Sequence, residues 1–213
     1  MAKAAKTTGR SYRGASADER RDERKRKLIE AGIKVIGREG YPATTVRAVC
    51  AEAGLTERYF YEAIGDRERL LGAVYEHLVQ QTQAQIAQTL LAAGNAPPSE
   101  LARLALTGYF SAMRDNPDAA RILLFEILGV SPEVTRLSQR AIADFALLIR
   151  MTARRLPQLA VPEQQEELVT AGLVGSVVFI AMSWFLEGYK RDLDDVVNSA
   201  LSIFNAVVAA NNA

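Results

Sequence analysis

From residue 17 onward, apolar side chains recur at spacings of three, four and seven, and no segment alternates with a period of two. That pattern leaves helices packed on helices as the available architecture, because a strand places every second residue on one face. The polar stops agree with it. Ser16 and Glu19 form a capping box ahead of ADERRDERKRKLIEAGIKVIGRE, and Gly40 supplies a C-terminal stop. Gly32 and Gly37 lie inside this helix, each costing about 1 kcal/mol relative to Ala, so they serve either close packing or a softened seat. Thr44 or Thr45 caps a short helix, Val46 to Ala53, ended by Gly54, and Thr56 caps another from Glu57 to about Ala63. Asp66 opens a long helix to about Ala92, amphipathic through Leu70, Leu71, Val74, Leu78, Ile86 and Leu90. The breaker GNAPPS ends that run. Beyond it, helix starts repeat a polar cap or Pro followed by Pro or an acid: Ser99, Asn116, Ser131, Pro162 and Asp192. The expectation is an all-α fold of about nine helices, a three-helix head followed by a helical body.

The net charge of +1 conceals an uneven distribution. Residues 1–71 carry 16 basic and 11 acidic side chains, a balance of +5, and residues 72–213 carry 10 and 14, a balance of −4. A basic head on an acidic body points to a polyanion partner, although +5 on such a length is also compatible with an ordinary solvated surface. Residues 1–17 hold Lys3, Lys6, Arg10 and Arg13 without an acid and read as a disordered basic arm. The arm has no apolar stretch of the secretory kind, so the expected location is cytoplasmic.

One Cys and one His exclude a disulfide framework, a multi-Cys zinc site and a His-rich metal centre. The chain also lacks a phosphate-binding glycine loop, a nucleophile elbow and an H-E-x-x-H helix, so neither an enzyme, a metal nor a cofactor is expected. The run Leu168–Leu186 is free of charge and long enough for a bilayer, but Thr170, Gly172, Gly175, Ser176 and Ser183 dilute it. A buried core helix or a subunit interface is the expected reading, with no membrane.

Two short helices joined by a Gly-containing turn behind a longer helix make a helix-turn-helix. Val46, Val49, Ala53, Leu55 and Phe60 supply small apolar contacts that lock the pair, and the second helix projects Thr56, Glu57, Arg58, Tyr59 and Tyr61. Such a mixture of cap, charge and aromatic hydroxyl suits base edges and phosphates in a major groove. Spacing alone equally allows two ordinary short helices in a bundle.

The stretch from Lys25 to Leu78 resembles the DNA-binding domain of the TetR family of bacterial transcriptional regulators. The resemblance rests on Gly40-Tyr41, Thr44-Thr45-Val46, Ala53-Gly54-Leu55-Thr56, Tyr61 and Asp66-Arg67-Glu68-Arg69-Leu70-Leu71. It implies that Thr44 or Thr45 caps the second helix against a phosphate and that Arg47 faces DNA. Thr56, Glu57, Arg58 and Tyr59 would open the recognition helix, Tyr61 would hydrogen-bond a phosphate, and Arg67 would contact the backbone where the family usually has Lys. Departures are Glu62-Ala63 where a basic or aromatic residue is usual, Ile64 for Phe, and Gly32 and Cys50 for Ala; Cys50 is expected to be packing. The arm, through Arg10 and Arg13, is expected to compensate for the acidic recognition helix by following the DNA backbone or entering a minor groove.

The resemblance further implies a ligand-binding and dimerisation domain over residues 72–213, behind an arm of 1–17 and a head of 18–71. A homodimer would bind a pseudo-palindromic operator in double-stranded DNA, most often as a repressor released by a small, largely apolar effector. The last two helices would pair across the dimer, through Leu173, Val177, Ile180, Trp184, Leu193, Val197, Leu201 and Phe204. The pocket would lie among the middle helices, with Tyr109, Phe110, Met113, Phe125 and Phe145 as candidates and core packing as their alternative role. His77, the one imidazole, is a candidate hydrogen-bonding group or a satisfied, partly buried one. The long helix from Asp66 would be the lever between head and body. The alternative is a helical ligand-binding or protein-interaction module with weak or lost DNA binding, which Glu57 and Glu62 favour.

Overall fold

The computed structural model describes residues 17–153 and 163–211, and among these it contains nine α-helices, one π-helical turn and no strand. The helices are α1 (Ala17–Glu39), α2 (Val46–Ala53), α3 (Glu57–Ala63), α4 (Arg67–Ala93), α5 (Pro98–Asp115), α6 (Pro117–Arg121), α7 (Pro132–Ala153), α8 (Glu163–Leu186) and α9 (Leu193–Asn211). The all-α expectation holds. Ser16, Pro162, Arg10 and Arg13 lie outside the described residues.

Most ends follow the sequence signals. Thr45 rather than Thr44 caps α2, accepting from Ala48 N, and Asp66 caps α4 by accepting from Arg69 N at 2.8 Å. Asn116 caps α6 through Ala119 N at 3.1 Å, and Ser131 caps α7 through Val134 N at 3.2 Å. One start differs: α5 begins at Pro98 behind Pro97, ahead of the expected Ser99, because proline at the first helical position loses no needed N–H. The π turn, Ile122–Glu126, is unannounced by the apolar spacing, which reads the same for a slightly wider helix.

Leu28, Ala31, Val35 and Ile36 put one face of α1 into a cluster with Val49, Phe60, Leu70, Leu71 and Val74. The cluster continues without a break into the body through Tyr75, Leu78, Val79, Ile122, Ile127 and Val134. Head and body therefore share a core along α4. The two helix glycines are close-packing sites. A Cβ on Gly32 would lie 2.8 Å from Val74 Cγ2, and one on Gly37 would lie 2.8 Å from Asp118 Cα, so α1 crosses α4 and α6 where side chains are missing.

A second cluster joins α5, α6, α8 and α9 around Phe110, Met113, Trp184, Val197 and Leu201. The α8–α9 turn is pinned to it. Trp184 Nε1 donates to Arg191 O at 3.0 Å, and the Tyr189 hydroxyl donates to Met113 O at 2.8 Å. These bonds hold Tyr189 at φ +57°, a left-handed conformation that a side chain of its size otherwise avoids.

The buried positions on α8 all lie on one side: Thr170, Leu173, Val174, Val177, Ala181 and Trp184. The opposite side carries Leu168 (80% exposed), Phe179 (69%) and Leu186 (73%), with Gly172 and Gly175 between them facing open space. The residues expected at a dimer interface meet the core of their own protomer to different degrees. Leu173, Val177, Trp184, Val197 and Leu201 are buried within one protomer, and Ile180, Leu193 and Phe204 pack half-buried on the same cluster. The most apolar stripe of each helix is consumed by the chain's own core, leaving the second-best face outside. By length and composition Gln165–Leu186 also suits a membrane span, with a mean hydropathy of 2.0.

Candidate nucleic-acid interface and effector cavity

Gly54 turns the chain from α2 to α3 at φ +65°, with Leu55 N donating to Cys50 O at 2.9 Å. Phe60 and Val49 are fully buried between the two helices, which fixes their angle against α1. Cys50 is buried in the same seam, and burial, with Glu57 second, pushes its thiol up, away from a reactive thiolate. The opposite face of α3 stands clear of the molecule. Glu57, Arg58, Tyr59 and Tyr61 (56%) are exposed, as are Thr45, Arg47 and Thr56 at the helix starts. One protruding edge thus brings together most of the residues that the sequence nominated.

Two nominees are placed differently. Thr44 is 1% exposed and its hydroxyl donates to Gly40 O at 2.8 Å, so it closes the α1–α2 turn rather than facing solvent. Arg67 is half-buried: Nη2 donates to Tyr41 O at 2.9 Å and the guanidinium lies 5.1 Å from the Tyr41 ring. It ties the α1–α2 turn to the start of α4.

Arg58 is engaged within its own helix. Its Nε donates to Glu62 Oε1 at 2.8 Å, one turn on, and that hydrogen bond is the main cause that raises the guanidinium pKa. The sequence reading missed Arg24, whose guanidinium lies over the Tyr59 ring at 4.7 Å. It sits in the charge-dense run RRDERKRK, and nothing in that run singles out which cation turns towards α3.

The body encloses a cavity of about 320 Å³ among α4, α5, the π turn, α7, α8 and α9. That is the size of a small-ligand site. Its wall includes Tyr75, Val79, Thr82, Ile86 and Leu90 from α4, Leu101, Ala105 and Tyr109 from α5, and Ser138, Ile142, Phe145 and Ile149 from α7. Of the nominated pocket residues, Tyr109 and Phe145 line it. Phe110 and Met113 are instead buried in the second cluster, where Phe110 packs edge-on to Trp184 with ring centroids 6.1 Å apart. Phe125 packs against Phe185 at 5.1 Å, and His77 is half-buried on α4 away from the wall. Periodicity identifies which faces are apolar; it does not say which apolar face meets a neighbour and which meets a void.

The π turn belongs to both sites. Leu123, Leu124 and Ile127 form part of the cavity wall. On its other side, the Glu126 carboxylate accepts from Tyr41 N at 2.7 Å and from Arg121 Nε at 2.7 Å. Arg121 Nη1 reaches Gly37 O at 3.3 Å and Arg38 O at 3.4 Å, the free carbonyls at the end of α1. One short segment therefore touches the cavity and grips the end of the head's longest helix.

Residues 28–74 match the family described as bacterial regulatory proteins, tetR family. The chain is 25% identical over 118 residues to the HTH-type transcriptional regulator YerO of Bacillus subtilis, a match covering 55% of this chain and 40% of that protein. It is 26% identical over 133 residues to the HTH-type transcriptional regulator BetI of Brucella suis, covering 62% of each. It thus spans less than two thirds of either relative. A crystal structure of the transcriptional regulator FadR from Bacillus subtilis, in complex with stearoyl-CoA, superposes with a TM-score of 0.74 at 17% identity. That likeness covers 84% of this chain and 96% of FadR, and it concerns the fold.

Proposed function

We propose, from the premise that this chain belongs to the TetR family through its N-terminal head, that it is a cytoplasmic, ligand-responsive repressor and not an enzyme. It binds a pseudo-palindromic operator in double-stranded DNA as a homodimer and is released by a small, largely apolar effector. The division into a head over 18–71 and a body over 72–213, with a basic arm ahead of both, is part of this reading. The observation that carries it is the shared π turn: Leu123, Leu124 and Ile127 face the cavity while Glu126 and Arg121 hold Tyr41 and the end of α1. An effector that favours a different arrangement of this turn changes the seat of the head, and by linkage weakens DNA binding by about 1–3 kcal/mol.

Thr45, Arg47, Thr56, Glu57, Arg58, Tyr59 and Tyr61 make the DNA face in this reading. Arg24 stiffens Tyr59, and Arg10 and Arg13 follow the backbone. The dimer forms on the outer side of α8, where Leu168, Phe179 and Leu186 flank Gly172 and Gly175, together with the exposed Ser199, Ser202, Ile203 and Ala206 of α9. Glycines facing open space let two helices approach closely, and a two-fold axis there covers the exposed apolar stripe of both protomers. FadR, solved with stearoyl-CoA, supports by fold likeness an effector with a long apolar chain, the acyl part of that molecule.

The Arg58–Glu62 pair favours a second reading, a ligand-binding module that no longer holds DNA, since it occupies the cation of the recognition helix. Selection of bound fragments from random-sequence DNA by the purified full chain, repeated at two salt concentrations, separates the two. The regulator reading expects a two-fold-related sequence and affinity that falls steeply with salt. No retained DNA at low salt overturns it in favour of the module.

A further inference from the structure

We infer that the cavity selects an elongated, uncharged ligand bearing one neutral hydrogen-bonding group, read by Tyr75, Tyr109 and Ser138. This deepens the effector reading above and rests on it.

The wall contains no Asp, Glu, Lys, Arg or His among the described residues. Its polar side chains are Tyr75, Thr82, Tyr109 and Ser138. Thr82 spends its hydroxyl proton on Leu78 O at 2.9 Å, within its own helix. The other three come from α4, α5 and α7 and converge. All three line the same cavity, and the Ser138 hydroxyl lies near enough to the Tyr75 phenol to temper the rise that burial causes in it. Tyr75 is the first residue of α4 to line the cavity, and Ile127, which follows the π turn, shares its buried cluster. From there the α4 wall runs through Val79, Ile86 and Leu90, roughly 22 Å at 1.5 Å per residue, with Pro98 and Leu101 also lining the cavity. One polar end and a long apolar barrel describe a ligand of the same shape.

The uncharged lining itself disfavours a charged ligand. Burial pushes both phenols up, Tyr109 far above its ordinary range, which says that a negative charge at this end is strongly disfavoured. The same surroundings oppose a ligand carboxylate, for which no cation stands ready. They equally oppose an ammonium, for which there is no acid. The phenols stay protonated throughout the physiological range and serve as neutral donors.

The test uses three probes of one chain length, 1-dodecanol, dodecanoate and dodecyltrimethylammonium, below their aggregation limits, titrated calorimetrically into the full-length protein at pH 7.5. The expected result is that the alcohol binds at least tenfold tighter than either ion. Tyr109→Phe and Tyr75→Phe should each weaken the alcohol about fivefold, the size of one neutral hydrogen bond. Thermal unfolding of these near-isosteric variants verifies that they fold. Ser138→Lys should shift preference towards dodecanoate. If the native chain binds dodecanoate as tightly as dodecanol, or tighter, this inference falls while the effector reading stands. If none of the three binds although the chain still retains its selected DNA, the effector reading falls and takes the inference with it.

Discussion

The proposed DNA face of the head lies between positions 45 and 61, whereas the cavity wall draws Tyr75, Tyr109, Ile127, Ser138 and Val177 from separate segments. The head's face is polar and outward, so a substitution there changes binding with little effect on folding. The body's site is a gap left where helices do not quite meet. A substitution that fills or loosens it touches packing and function together. Between the two lies α4, which carries core residues of the head at Leu70 and Leu71 and cavity residues from Tyr75 onward. A single rigid element thus has one end in each regime.

The largest expected effect lies outside both sites, on the outer side of α8. Phe179→Glu places two carboxylates near the proposed two-fold axis, and sedimentation should show a monomer at micromolar concentration. Loss of the paired second head should reduce operator affinity by about 100-fold or more. Leu91→Glu, at an equally exposed apolar position on α4, should leave the dimer intact. A Phe179→Glu protein that sediments as a dimer removes the proposed interface.

Next come the helix crossings that set the head on the body. Gly37→Ala drives a methyl against the Asp118 backbone and should destabilise by about 2–3 kcal/mol, a fall in Tm of roughly 5–10 °C. Gly108→Ala, which meets nothing within 4 Å, should stabilise α5 by up to about 1 kcal/mol. Shifts of opposite sign, the larger at Gly37, would sharpen the distinction between a close-packing glycine and an idle one. A neutral Gly37→Ala would mean that the α1–α6 contact yields easily.

The grip of the π turn should show as a smaller, local effect. Glu126→Ala releases the Tyr41 N–H, and hydrogen exchange at that amide should speed about tenfold, while amides around the Gly32–Val74 crossing keep their protection. Faster exchange spread evenly over α1 would instead make Glu126 part of the general stability of the head.

How far the sequence could be read follows the same division. Caps act within four residues, so Thr45, Gly54, Asp66, Asn116 and Ser131 end their helices as their neighbours dictate. The exposed face of α3 is equally local. The cavity and the outer face of α8 depend on which of several apolar stripes finds a partner. That is decided by helices far apart in the chain, so Phe110, Met113 and Trp184 pack in the core, while Val177 belongs both to that core and to the cavity wall. The π turn has no apolar signature of its own. Its partners, Tyr41 and Gly37, are some 85 positions away.

The smallest expected effect tests whether the head's face is complete as it stands. Arg58 and Glu62 are both exposed, and an exposed pair of this kind contributes little to folding, so its meaning lies in what Arg58 must give up to reach a phosphate or a base. Glu62→Gln keeps the shape of the side chain and removes the competing charge. Operator affinity should rise a few-fold, and the dependence of log affinity on log salt should steepen as one less repulsive charge faces the DNA. Arg58→Gln should lower affinity and reduce that slope by about one if the contact is to a phosphate. In the double variant the two changes should fail to add, since Glu62 has nothing left to hold. A Glu62→Gln protein that binds its operator more weakly would reverse the assignment: the carboxylate would then be accepting from a cytosine amino group in the major groove, and the pair would be a reader of sequence rather than a brake.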